Sequence, residues 1–200
     1  MKKKIYKQNE IFWTSDTHFY HEACIKFCDR PFSSLQEMHE VLIRNWNDTV
    51  KETDTIIIDG DFAFTGNKTL IEELLNFLNG IKILIPGNHC LKNKFDRESV
   101  KVLFTGGVYE QLEIYVEDED AKDGLQSIFN SHYPCISWPK SGYGSWHTFG
   151  HIHTRPNLIS EDSEIIKIYK TMGLKSYDVG VDNNKYTPVS YAKLKIKVNE

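Results

Sequence analysis

Three short apolar runs, each stopped by an acidic or glycine-led polar cluster, constrain this chain more than any other feature of it. Ile11-Phe12-Trp13 leads to Ser15-Asp16, the β-branched run Thr55-Ile56-Ile57-Ile58 to Asp59-Gly60-Asp61, and residues 81–85 to Pro86-Gly87. Runs of this length, rich in β-branched and aromatic residues and bounded by turn formers, read as buried strands. The segments between them have helical period. Ser34-Leu35-Gln36-Glu37 has the form of a capping box, and Leu35, Met38, Leu42, Trp46 and Thr49 recur at spacings of three and four, which predicts a helix through Val50. Residues 70–78 fit a second helix, closed by Asn79-Gly80. Strand, helix, strand, helix, strand is the order of an α/β fold with parallel strands.

The second half reads differently. Residues 108–116 alternate as a strand does, the acidic stretch 117–123 with Gly124 reads as a turn, and 125–130 as the returning strand. Residues 147–149, 165–169 and 192–198 also read as strand, the last being compatible with helix. With no internal repeat and no low-complexity linker, one domain over residues 1–200 is expected.

Composition excludes several classes. In 200 residues, 40% hydrophobic and 26% charged, a full core can form without disulfides, and no apolar run approaches membrane-spanning length. Cys24, Cys28, Cys90 and Cys135 have no CxxC spacing, and the N-terminus lacks the apolar stretch of a signal peptide, so reduced thiols and a cytoplasmic location are expected. Lys2-Lys3-Lys4 reads as a solvated tail. A formal charge of -4 argues against a sequence-independent nucleic-acid binder. A polyanionic substrate would need local positive charge, which a metal supplies.

The chemistry-bearing residues fall at strand ends. Asp16-Thr17-His18, Gly60-Asp61 and Gly87-Asn88-His89 follow the first three strands; Ser131-His132 and Gly150-His151-Ile152-His153 follow apolar runs later in the chain. The carboxyl ends of parallel strands share one edge of a sheet, where open α/β sheets hold ligands. Imidazoles and carboxylates suit Mn, Fe, Ni or Zn, and the number of donors, with a carboxylate able to bridge, suggests two ions. The glycines before Asp61, Asn88 and His151 permit close backbone approach where loops converge.

This ordered set, DxH, GD, GNH, a lone His and GHxH, resembles the calcineurin-like metallophosphoesterase superfamily. The wider strings 15–21, Arg30-Pro31-Phe32, 60–64, His132-Tyr133-Pro134 and 179–182 are similar to its small bacterial and phage members. The resemblance implies a four-layer α-β-β-α sandwich with two mixed sheets and a dinuclear metal site at the sheet edge. It implies one divalent ion held by Asp16, His18, Asp61 and His153, and a second by Asp61, Asn88, His132 and His151, with Asp61 bridging. Manganese is the leading identity, with iron, nickel or zinc as alternatives. His89 would face substrate as the catalytic group, protonating the leaving oxygen while a hydroxide activated by the two metals attacks phosphorus. The chain departs from the pattern once: Cys90 stands where the family usually carries an acid that orients this histidine. Another carboxylate substitutes, activity is lower, or Cys90 simply packs.

His21 and Arg30 are candidate substrate contacts, the alternatives being a loop hydrogen bond and a structural ion pair; Arg155 is a candidate of the same kind. His39 and His147 read as packed residues, and Tyr133, Trp138, Tyr143 and Trp146 as core or contact aromatics that could also stack a base. The expected function is hydrolysis of a small phosphodiester or nucleotide-type ester, with a phosphomonoesterase or a catalytically weak binding scaffold as alternatives. No membrane partner and no dedicated nucleic-acid module are expected. A structural zinc protein fits poorly, since such sites favour cysteine.

Overall fold

The computed structural model describes residues 3–92, 102–154 and 164–200. Two five-stranded sheets form its centre. The first has the order β10 (Val189–Ser190), β2 (Ile11–Thr14), β3 (Thr55–Ile58), β4 (Ile81–Leu84), β5 (Gly107–Val108). Only β10 runs antiparallel. The second has the order β1 (Ile5–Tyr6), β6 (Leu112–Glu117), β7 (Leu125–Asn130), β8 (Trp146–Phe149), β9 (Ser176–Asp178), with the β6–β7 pair antiparallel. Both are therefore mixed sheets.

Alternation along the strands sorts the side chains into layers. Ile11, Trp13, Ile57 and Ile83 meet Leu112, Ile114, Val116, Ile128 and Trp146 between the sheets. Phe12, Ile56, Ile58 and Leu84 face the other way, against Met38, Leu42 and Trp46 of α2 (Leu35–Thr49) and Ile71, Leu74 and Leu75 of α3 (Lys68–Phe77). On the far face of the second sheet, Phe129 and Phe149 pack with Trp138 and with Tyr169 of α5 (Glu164–Met172). Helices, sheet, sheet, helix is the expected four-layer sandwich. Trp13 Nε1 donates to Asn130 Oδ1 at 2.7 Å, a buried polar tie across the two sheets.

The first-half expectations fit closely. The parallel trio β2, β3, β4 is in place, and Ser34 caps α2 by accepting from the Glu37 N–H. The Glu37 carboxylate reaches back to the Ser33 N–H, one residue earlier than a capping box implies. Two second-half readings are corrected and a third, left open between strand and helix, is decided. Residues 165–169 lie in helix α5, whose Ile165, Ile166 and Tyr169 make one apolar face; the β-branched pair imitated a strand. Residues 192–198 lie mostly in helix α6 (Tyr191–Lys197), capped by the Ser190 hydroxyl. The alternating run 108–116 is two strands in different sheets, with the chain crossing between them after Val108.

Candidate metal centre

Every residue singled out as a ligand sits just beyond a strand end. Asp16 and His18 follow β2 and Asp61 follows β3; Asn88 and His89 open α4 (Asn88–Lys92) after β4, His132 follows β7, and His151 and His153 follow β8. The loops are laced together by backbone bonds, Asp16 N–H to Gly60 O, His18 N–H to Asp61 O and Gly150 N–H to His132 O. Asp16, His18, Asp61, His151 and His153 all have φ between 46° and 72°, a left-handed backbone that costs non-glycine residues energy. Such strain at one point in space marks loops held for a purpose other than stability. Close packing explains two glycines: a Cβ at Gly60 would lie 2.0 Å from His132 Nδ1, and one at Gly150 2.3 Å from Asp16 Oδ2.

Among the expected ligands, two donor sets result. Atoms of Asp16, His18 and His153 lie within 4.8 Å of one another, as do those of Asp61, His132 and His151. Asp61 Oδ2 is 3.8 Å from His18 Nε2 and 3.5 Å from His132 Nε2, so it faces both. Asn88 Oδ1 is 3.1 Å from His132 Nε2. His153 Nε2 and His18 Nε2 stand 3.7 and 4.0 Å from Asp16 Oδ1, beyond hydrogen-bond reach. Asp16 Oδ1 and His18 Nε2 are buried and have no partner. Buried donors and acceptors are ordinarily satisfied, so these orphans need an explanation. A cation fits: its bonds to nitrogen and oxygen are about 2.0–2.2 Å, which spaces neighbouring ligand atoms this far apart.

Electrostatics agree with that reading. Burial, then the cations His153 and Arg30, hold His18 far below the ordinary imidazole value. Burial and His132 lower His151 too, so both rings keep lone pairs for coordination. His153 behaves oppositely: burial resists its charge, but hydrogen bonds to Asp182 and Cys28 push it up to about 11. Behind the site, burial and the nearby Asp16 and Asp178 raise the Asp59 carboxyl well above its usual range, and burial and Asp16 push Asp178 up to about 6. A concentration of buried carboxyls around Asp16 is relieved by positive charge placed among them.

His89 is half-buried, with its ring Nδ1 buried and without a partner. Its backbone N–H donates to Asp61 Oδ1 at 2.8 Å, and its ring stands 5.2 Å from that of His18 and 5.6 Å from that of Phe64. Cys90 points into the apolar layer with Phe62 and Phe104, where burial pushes its thiol up to about 11; it packs. His21 is half-buried, its Nδ1 3.1 Å from His18 Nδ1 and its ring stacked on Phe64 at 4.1 Å. Arg30 requires a correction as a substrate contact. Its guanidinium is buried, forked onto both oxygens of Asp182, and donates its remaining hydrogens to the carbonyls of Asp16 and Thr17 and to Met38 Sδ. It is the structural ion pair. Arg155 lies outside the described residues.

His147 is buried, donating from Nδ1 to Phe129 O and accepting at Nε2 from the Cys135 N–H, and His39 accepts from the Tyr20 N–H. Trp138 and Trp146 are core residues and Tyr143 is exposed, while half-exposed Tyr133 leans edge-on over His132 and His151. Sequence reading missed Asp182 as a functional residue. Asp182 Oδ2 meets His153 Nδ1 at 2.7 Å, and the signal available was its place just after β9, the same place the ligands hold on other strands. It also missed Cys28, whose sulfur is 3.3 Å from the same nitrogen.

Comparison with known proteins agrees with this geometry. The family model Metallophos, calcineurin-like phosphoesterase, matches residues 10–162. The uncharacterized protein MJ1445 of Methanocaldococcus jannaschii is 46% identical over 182 residues, 90% of this chain and 86% of that protein. A crystal structure of AQ665 from Aquifex aeolicus, described as a protein of unknown function, superposes with a TM-score of 0.67 at 25% identity, covering 94% of this chain and 98% of that one.

Proposed function

The chain belongs to the calcineurin-like phosphoesterase family, and from that premise we propose that it is a hydrolase of small phosphodiesters of nucleotide type, working with two divalent transition-metal ions. The observation that carries the reading is Asp61 Oδ2 standing between two donor sets, with Asp16 Oδ1 and His18 Nε2 buried and unpartnered beside it. Asp16, His18, Asp61 and His153 hold one ion and Asp61, Asn88, His132 and His151 the other, within one domain. Bound there, the ions supply Lewis acidity toward phosphoryl oxygens and lower the pKa of water.

The chain's own groups do the rest. Arg30 and the backbone ties between loops keep the donors in register, so little reorganisation accompanies reaction. The His89 N–H orients Asp61, and its half-buried ring, beside His18, delivers a proton to the leaving oxygen. Phe64 beside His89 and Tyr133 beside His151 offer flat apolar walls to a nucleotide-type substrate. Four free cysteines suit the cytoplasm, and no helix among the described residues is long and apolar enough to cross a membrane.

The test is a screen of the purified protein, loaded in turn with Mn, Fe, Ni and Zn, against p-nitrophenyl mono- and diesters and nucleotides. Turnover that chelation abolishes and metal restores, higher for diesters, is the expected result, with manganese giving the most active form. Protein that takes up no transition metal, or turnover indifferent to chelation, overturns it.

A further inference from the structure

We infer that the two cation positions are unequal, and that Asp182 is a positioning residue that makes the one formed by Asp16, His18 and His153 the tighter. The inference rests on the two-cation reading above and adds an order of filling to it.

The two sets differ in what stands behind their histidines. Asp182 Oδ2 accepts from His153 Nδ1 at 2.7 Å, so Nε2, on the side of Asp16, is the nitrogen that would exchange its proton for an ion. Asp182 is itself fixed. Arg30 Nε donates to its Oδ1 at 2.8 Å and an Nη2 hydrogen to its Oδ2 at 2.9 Å, and the same Nη2 reaches Asp16 O at 2.6 Å. One buried guanidinium thereby locks the turn carrying Asp182 to the loop carrying Asp16 and His18, and a second tie runs from the Val181 N–H to Ser15 O. The loop carrying Asp16 and His18 and the His153 ring are thereby tied to one turn.

On the other side, His132 Nδ1 has only a peptide carbonyl behind it, Asp59 O at 2.8 Å, and the neutral amide of Asn88 stands where the first set has the Asp16 carboxylate. Asp61 is shared, so it favours neither. Arg30 offsets the formal charge of Asp182, and the contribution of Asp182 is therefore ring orientation and a polarised imidazole, effects that change metal affinity by about 10–100-fold. Asp16 adds the charge difference.

The experiment titrates chelator-treated full-length protein with Zn2+ by calorimetry and follows histidine ring nitrogens by long-range proton–nitrogen NMR. The expected result is two separable binding events, the first perturbing His18 and His153, with the His153 proton on Nδ1. Asp182→Asn should weaken the first event about 10–100-fold and leave the second in place, and Asp182→Glu should recover part of the loss. In p-nitrophenyl turnover, Asp182→Asn should raise the metal concentration needed for half-activation. Shifts that begin at His132 and His151, a His153 proton on Nε2 in the Zn2+-loaded protein, or an unchanged first event in Asp182→Asn would each overturn the inference. The wild-type spectra decide it even where a variant fails to fold. Wild-type protein that binds no Zn2+ overturns the two-cation reading instead.

Discussion

Asp61 Oδ2 lies 3.5 Å from His132 Nε2, too far for a hydrogen bond and near enough for both atoms to hold one ion. With His18 Nε2 3.8 Å away on its other side, this carboxylate faces both donor sets. Asp61→Asn keeps the size of the side chain and removes the charge that two ions would share. The protein should then lose bound metal and, with each kcal/mol of lost Lewis-acid stabilisation compounding, fall about a thousand-fold or more in turnover. Elemental analysis of the purified variant alongside the ester assay checks both at once. Full metal content with lost activity would assign Asp61 a different role.

His89 makes the complementary case. Its ring belongs to neither donor set, and only its backbone touches Asp61. His89→Asn should therefore keep wild-type metal content and lose about 100- to 10,000-fold in turnover of esters with poor leaving groups. Esters with good leaving groups need less protonation, so p-nitrophenyl substrates should suffer less than alkyl or nucleoside esters. Comparing the two substrate types in metal-loaded variant protein separates proton delivery from a general loss of structure.

Gly150 tests how tightly the site is packed. An added Cβ would meet Ser15 Oγ at 2.0 Å and Asp16 Oδ2 at 2.3 Å, both fully buried. Neither neighbour has room to retreat, so Gly150→Ala should destabilise the fold by about 1–3 kcal/mol and displace Asp16 from its donor set. Thermal melting with and without metal should reveal both effects: a lower midpoint in the apo protein, and a smaller rise on adding metal than wild type gains.

What could be read from sequence was whatever a strand end and a local spacing determine. The convergence of Asp16, His18, Asp61, Asn88, His132, His151 and His153 was legible because parallel strands bring their carboxyl ends together, and polar residues there seldom serve the core. The left-handed backbone at Asp16 or His153 left no trace, since nothing in those residue types announces a positive φ. Arg30 and Asp182 were opaque for another reason. They are 152 positions apart, so the sequence allows an ion pair for Arg30 without naming its partner until the fold brings them together. Helix α5 was misread because Ile165 and Ile166 favour strand by local propensity, and packing on Phe129 and Phe149 overrides it. The segment after Val108 looked continuous because alternation says which face a residue takes and not which sheet it joins.

His147 gives a pH dependence remote from the metal site. It is fully buried between Phe129 and Trp138, hydrogen-bonded at both ring nitrogens as the neutral form, and burial lowers it from 6.5 to about 4. The unfolded chain takes up this proton first as pH falls, so between those two values it binds more protons than the folded chain and stability rises with pH. The contribution of His147 is complete above pH 6.5 and is lost as pH drops toward 4, a difference of about 3 kcal/mol. His147→Gln can replace both hydrogen bonds and cannot titrate. Urea denaturation from pH 7 to 4 should accordingly show a shallower decline in the variant than in wild type, whatever the two proteins' absolute stabilities. Parallel slopes would mean that His147 is already solvated or charged in the folded state.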